Sequence, residues 1–165
     1  MNTEVVNKIA GFLQTIGLDL IMRPLEEPTF LPGLLLEGGK IIADPEKLLY
    51  AGDILHEAGH LAAYGPDLRK TIGDPLPVHM AAGFEMMALA WSSYAACLHI
   101  GLEPSVVFHD GGYKGEGNSI LEAFAAGSYI GLPMLQYMGL AYDQKKSSEL
   151  GILPFPNMVH WLKPD

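Results

Sequence analysis

Apolar residues near the amino terminus recur with the spacing of a helix, and they predict an amphipathic helix over residues 3–16. Thr3 is positioned to cap the start of this helix, and Gly17 to end it. The pattern then changes, because the apolar run at 18–25 is short and is followed by a Glu-Glu-Pro turn. This run predicts a short strand.

Two apolar tetrads farther along the chain, residues 34–37 and 40–43, predict a β-hairpin. Gly38 and Gly39 lie between them and can adopt the positive φ angles that a two-residue hairpin turn requires. Together with the preceding strand, this hairpin predicts a small antiparallel sheet.

Helical signals dominate the remainder of the chain. Asp44, followed by Pro45, has the pattern of a helix start, and Asp53 is positioned to cap a second start. We expect a helix from about residue 54 to 64 and a long apolar helix from about 79 to 100.

The last third of the chain begins with a glycine-rich segment at 110–117. Ser119 and Glu122 have the spacing of a capping box and predict another helix, which Pro133 should break or kink. From Ser147 onward we expect irregular structure. The pattern as a whole predicts one α+β domain over residues 1–165.

Composition narrows the function classes. Ten Lys and Arg against nineteen Asp and Glu give a net charge of −9, which argues against a nucleic-acid-binding protein. Apolar residues make up 49% and charged residues only 18%, so a large share of the chain should be buried in a core or in the interface of a homo-oligomer. Cys97 is the single cysteine, which excludes an intrachain disulfide, and with no targeting segment recognised we expect a cytoplasmic protein.

Two stretches, residues 78–102 and 120–141, are long and apolar enough to raise the question of a membrane. Glu85 interrupts the first, and Glu122 the second, and basic residues flank neither in an inside/outside pattern. We therefore expect buried core helices and no membrane span.

The most informative motif is the run HEAGH at residues 56–60. On a helix, His56 and His60 project from the same face one turn apart, so both imidazoles can bind one ion while Glu57 reaches a water on it. Chance predicts roughly 0.014 such matches in a chain of this composition. The competing interpretation is two ordinary histidines in the core or on the surface, with Glu57 a solvated charge.

A hydrolytic zinc site needs a third protein ligand. Glu85 is the best candidate, because every helical neighbour three or four positions away is apolar and a bound dication would offset the cost of burying its charge. Asp74, His79 and His109 are weaker candidates for the same role. Alternatively, Glu85 faces water or another chain.

These motifs resemble the zincins of the gluzincin kind, and in particular the minimal ImmA/IrrE-type metallopeptidases. The similarity covers about residues 30–95 and includes Glu85, Ala88 and Trp91 in an E-x-x-A-x-x-aromatic pattern. The resemblance implies zinc held by His56, His60 and Glu85, with Glu57 as general base in the hydrolysis of a peptide or protein.

Two further expectations accompany this resemblance. The peptide would pair with whichever of the strands 34–37 and 40–43 lies at the sheet edge. Tyr94, His109 or Tyr113 would donate to the developing oxyanion, with Tyr113 the first to test. The alternatives are a non-catalytic metal-binding module that acts in regulation or partner binding, and a metal-free helical scaffold.

Overall fold

A computed structural model describes residues 2–26, 28–76, 78–109, 111 and 117–165, with side chains for all of these except 78–83. Its elements in chain order are α1 (Thr3–Ile16), β1 (Leu20–Met22), β2 (Leu34–Glu37), β3 (Lys40–Ala43), α2 (Gly52–Ala62), α3 (Pro66–Arg69), α4 (Val78–Leu89), a π-helical segment (Ala90–Ala96), α5 (Cys97–Ile100), a 3-10 turn (Pro104–Val106), α6 (Gly117–Ala125), α7 (Leu132–Tyr137) and α8 (Gln144–Leu150). The α+β class is confirmed.

Helix α1 has the bounds that its apolar spacing predicts. Its cap is Asn2 and not Thr3, because the Asn2 side-chain oxygen accepts from the backbone N–H of Glu4 at 3.1 Å. Gly17 ends the helix in the left-handed conformation with φ 82°. One face of α1 packs into the core through Val6, Ile9, Phe12 and Leu13.

The three strands form a mixed sheet in the order β1-β3-β2. The hairpin is confirmed, with Leu34 opposite Ala43 and Glu37 opposite Lys40. The prediction of a fully antiparallel sheet is wrong, because β1 pairs with β3 in parallel. Three of the four β3 residues are buried whereas β1 is largely exposed, so burial of apolar surface favours β3 at the centre.

Two of the predicted helix starts are wrong. After Asp44 the chain makes only a turn, since the Asp44 carboxylate accepts from the backbone N–H groups of Leu25 and Glu46, both at 2.9 Å. Helix α2 begins at Gly52, and Asp53 lies inside its first turn instead of capping it. The capping box is also misplaced, because α6 begins two residues before Ser119.

The long apolar helix is confirmed over Val78–Ile100, and Gly101 closes it with φ 66°. Its middle part, Ala90–Ala96, is π-helical, which the sequence pattern did not predict. Here the Ser92 hydroxyl donates to the carbonyl of Ala88 at 2.6 Å and the Ser93 hydroxyl donates to the carbonyl of Leu89. None of the helices in the described ranges is long and apolar enough to cross a membrane.

Later elements agree in part with the pattern. The helix expected to continue to Pro133 ends earlier, at Ala125, and Pro133 lies in the first turn of a separate helix, α7, which begins at Leu132. The carboxy-terminal segment is irregular apart from α8, which extends past Ser147 to Leu150.

Helix α2 is the centre of the molecule, because all eleven of its residues are buried. Its carboxyl end is held by Arg69, whose guanidinium donates to the carbonyls of Leu61 at 3.0 Å and Tyr64 at 2.6 Å. The same side chain donates to the carbonyl of Lys163 at 3.1 Å, and the Lys163 N–H donates to Ala62 at 2.9 Å. The carboxy-terminal segment therefore fixes the helix that carries the HEAGH motif.

Candidate metal centre

The candidate site lies between helices α2 and α4. Helix α2 supplies His56, Glu57 and His60, and α4 supplies Glu85. The two helices approach closely at Gly59, where a Cβ atom would lie only 2.8 Å from the carbonyl oxygen of Ala88. Ala88 is three residues beyond Glu85, so this contact brings the Glu85 turn against the two histidines.

Three side chains converge in a small triangle. The Nε2 atoms of His56 and His60 are 3.1 Å apart. One oxygen of Glu85 lies 3.2 Å from the His56 Nε2, and the other lies 3.1 Å from the His60 Nε2. Glu57 is next to this triangle, because ligand atoms of His56, Glu57 and His60 all lie within 4.8 Å of one another, a grouping that could hold a metal ion.

The ionised Glu85 carboxylate can accept one hydrogen bond from each imidazole, because each Nε2 lies near a different oxygen. A ring nitrogen of a neutral imidazole either carries a hydrogen or presents a lone pair. In the tautomer with hydrogens on Nδ1, both Nε2 atoms instead present lone pairs, and together with the carboxylate they form a donor set for a cation. A cation among the three atoms would accept a lone pair from each.

The part of the site on α2 is withdrawn from water, while the Glu85 side chain is 38% exposed. His56 and His60 are 7% and 4% exposed, and Glu57 is 9% exposed. Burial raises the pKa of Glu57 to about 7, against the lowering effect of His60, and the charges of Asp74, Glu85 and Asp53 raise it further. Burial also acts to raise the pKa of Glu85, but hydrogen bonds and charge from His56 and His60 outweigh it and hold that pKa well below its usual range.

A cavity of about 960 Å³ opens onto these groups. His56, Glu57, His60 and Glu85 form its polar end. Most of the remaining wall is apolar and comes from the segment 28–35 together with Leu49, Tyr50 and Leu76. The cavity can therefore hold a ligand in contact with the metal candidates.

Sequence reasoning missed a second buried pair in the same cavity, Asp53 with His109. The His109 Nε2 is 2.8 Å from the Asp53 carboxylate, and the His109 ring stacks on Tyr50 with centroids 3.6 Å apart. The other ring nitrogen, Nδ1, is buried and has no hydrogen-bond partner among the described residues. The sequence signal for Asp53 was its position three and four residues before His56 and Glu57, which puts it on the same face of α2.

His109 is therefore not placed as the third metal ligand, since Asp53 engages its Nε2 atom. The same contact leaves only a buried nitrogen, so the structure does not present His109 as an oxyanion donor either. Tyr94 is a second correction, because it packs against Phe124 and Tyr129 and does not line the cavity. Tyr113 and the side chain of His79 lie outside the described residues.

Asp74 lines the cavity, but its hydrogen bonds are to strand β2. Its carboxylate accepts from the Leu36 N–H at 2.8 Å, and its own N–H donates to the Leu36 carbonyl at 2.9 Å. Burial raises the pKa of Asp74, against the lowering effects of the Leu36 hydrogen bond and His60. Asp74 is thus not placed in the triangle of His56, His60 and Glu85.

Comparison of the chain with protein-family models, with curated protein sequences and with solved structures found no match in any of the three. The chain is an α+β protein with a buried His-Glu-His group that could hold a metal ion.

Proposed function

We propose that this protein is a zinc-dependent hydrolase of amide bonds. His56, His60 and Glu85 hold the metal, and Glu57 is the general base. The observation that carries the proposal is the convergence of two imidazole nitrogens and a carboxylate to within 3.1–3.2 Å of one another at the end of a cavity.

The donor set fits zinc in both chemistry and size. Two imidazoles and one carboxylate form a ligand set found in catalytic zinc sites, where a fourth position stays open. Zinc bonds of about 2.0–2.1 Å in a tetrahedron place neighbouring ligand atoms about 3.3–3.4 Å apart. The separations of 3.1 and 3.2 Å are close to that spacing, so binding requires only a small outward shift.

Zinc, when bound, supplies a Lewis acid that polarises a carbonyl and makes water more acidic. The acid–base work belongs to Glu57, which lies beside the histidines and would accept a proton from the attacking water and return it to the leaving amine. His56 and His60 are buried, whereas the Glu85 side chain is 38% exposed, so water and a ligand can reach this group from the cavity.

Metal content tests the first half of the proposal. Protein purified without added zinc should carry close to one equivalent, or take it up tightly. Less than about a tenth of an equivalent with no tight uptake would reject the metal site and leave a metal-free scaffold.

Cleavage tests the second half. In a peptide-library assay, Glu57→Gln should lower kcat/KM by about a hundredfold or more and change zinc affinity by less than about threefold. Glu46→Gln, at an exposed carboxylate outside the cavity, is the matched control and should match wild type. Equal turnover by wild type and Glu57→Gln would show that Glu57 is not the general base. Zinc binding without cleavage by either protein would favour a module that acts in regulation or partner binding.

A further inference from the structure

We infer that the site takes a short peptide or small amide with a bulky apolar group and no negative charge, which enters the cavity whole instead of pairing with the sheet. This inference rests on the proposed amide hydrolysis. It differs from the expectation that an extended polypeptide adds as a strand, and three features of the described residues carry it.

The first feature is the sheet edge beside the cavity. β3 is the central strand, so it offers no edge, and the edge near the cavity is β2. In the β2 register, Leu34 and Leu36 turn their backbone groups away from β3. The Leu36 N–H and carbonyl both bond to Asp74, and the Leu34 N–H bonds to the Leu31 carbonyl.

Strand addition needs a row of open backbone donors and acceptors along the edge. Three of the four outward groups of Leu34 and Leu36 already have partners within the chain. A polypeptide could pair here only by displacing Asp74. A ligand that occupies the cavity alone incurs no such loss.

The second feature is the size and character of the cavity. About 960 Å³ lies at the upper end of the range for sites that bury drug-sized ligands. Phe30 at its rim is 97% exposed and Leu49 is 63% exposed, so each retains apolar surface that a ligand can remove from water. These side chains match a bulky apolar group on the ligand.

The third feature is charge. The described lining contains four carboxylates and neither Lys nor Arg; the four are Asp53, Glu57, Asp74 and Glu85. The net charge of the chain is −9, so its field adds to theirs. Bound zinc offsets two of these charges, and the field of the remaining carboxylates and of the whole chain still favours a neutral or cationic substrate over an anionic one.

Binding to the zinc-loaded Glu57→Gln variant tests the inference apart from turnover. The probes are end-capped tetrapeptides that differ at one central residue, either Leu, Ala or Glu, and a peptide of about twenty residues with the Leu tetrapeptide at its centre. We expect the Leu tetrapeptide to bind at least about tenfold tighter than the Ala and Glu forms, and the long peptide to bind no more than about threefold tighter. Affinity that rises steadily with length, or that ignores the central residue, overturns the inference, as does failure of all four probes to bind.

Phe30→Ala localises the apolar contact. Because Phe30 is almost fully exposed, the substitution should leave folding unchanged and weaken binding of the Leu tetrapeptide by about threefold or more. Tyr137→Ala removes a side chain that is 87% exposed and outside the lining, and it should bind like the parent. Equal effects of the two substitutions would reject the cavity as the binding place.

The two proposals fail differently. If wild type cleaves peptides without preference for short length or apolar residues, amide hydrolysis stands and the substrate inference is wrong. If the binding preferences hold but no probe is cleaved by wild type, the cavity has the inferred ligand class and the proposed catalysis is wrong.

Discussion

Gly59 of α2 lies in backbone contact with Ala88 of α4. A Cβ atom at position 59 would come to 2.8 Å from the Ala88 carbonyl oxygen and 3.0 Å from its Cα, closer than packed atoms approach. Because Glu85 is on the same helix as Ala88, the absence of a side chain at Gly59 sets the distance between the two histidines and the carboxylate.

Gly59→Ala should therefore damage both stability and the site. The added methyl group forces α4 away from α2, which we expect to lower the free energy of unfolding of the metal-free protein by about 1–3 kcal/mol. Zinc affinity should fall as well, since Glu85 moves with α4. Urea unfolding and zinc titration measure the two effects.

Gly11→Ala is the matched control, since this glycine is also helical but a Cβ atom there has nothing within 4 Å. It should raise the free energy of unfolding by about 0.5–1 kcal/mol, because alanine is the better helix former. If Gly59→Ala behaves like Gly11→Ala, the close approach of the helices does not set the site.

Glu85→Ala should lower zinc affinity by at least about tenfold, because it removes one of three ligands. With zinc saturating, the far-ultraviolet circular dichroism should stay close to wild type. Competition titration against a chelator measures the affinity, with Glu46→Ala as control. An unchanged affinity would exclude Glu85 as a ligand.

Acid should destabilise the protein partly through Asp44. The hydrogen bond from the Leu25 N–H lowers the pKa of Asp44 below its usual range, with help from Glu46 and Lys47, although burial opposes this. A carboxylate whose pKa is lower in the folded state stabilises that state above its unfolded pKa of about 3.9 and loses this effect as the pH falls through the folded value.

Asp44→Asn should consequently be less stable than wild type at pH 7, and the gap should narrow as the pH falls below about 4. Urea unfolding across this range measures the gap. Asp67→Asn, at a side chain that is 97% exposed, should show little gap at any pH. A gap that is constant from neutral to acid would contradict the assigned role of the ionised Asp44.

Asp53 and His109 should be strongly coupled, since both side chains are nearly buried and their contact is 2.8 Å. A double-mutant cycle with Asp53→Ala and His109→Ala in the metal-free protein should give a coupling of about 1–3 kcal/mol. The exposed pair Lys146 and Glu149, 3.0 Å apart, should give less than about 0.5 kcal/mol in the same measurement. Equal coupling in the two pairs would mean that burial adds nothing to the Asp53–His109 contact.

Local geometry explains why part of the site was predictable. His56 and His60 share a helix face whatever the rest of the chain does, because four residues make about one turn. Glu85 stood out because an isolated acid among apolar neighbours needs a partner. The pairing of Asp53 with His109 spans 56 residues, and no local pattern reports it.

Some features of the fold also follow from local sequence, and others depend on distant contacts. The β2–β3 hairpin follows from two glycines in a two-residue turn, whereas the direction of β1 depends on which strand takes the buried centre of the sheet. Asp44 carries a helix-start pattern, yet the Leu25 N–H uses its carboxylate from nineteen residues away. Local signals failed where a distant backbone group competed for the same side chain.

The π-helical turns at Ala90–Ala96 lie between two parts of one long helix that make different contacts. A π-helix holds more residues in each turn than an α-helix, so it shifts the angular phase of everything beyond it. Upstream, Glu85 meets His56 and His60, while downstream His99 packs on Phe12 and Trp161. If all seven residues were instead α-helical, the two ends would swing about 100° relative to one another, the rotation of one residue, so that the aromatic anchor and the carboxylate could not both stay in place.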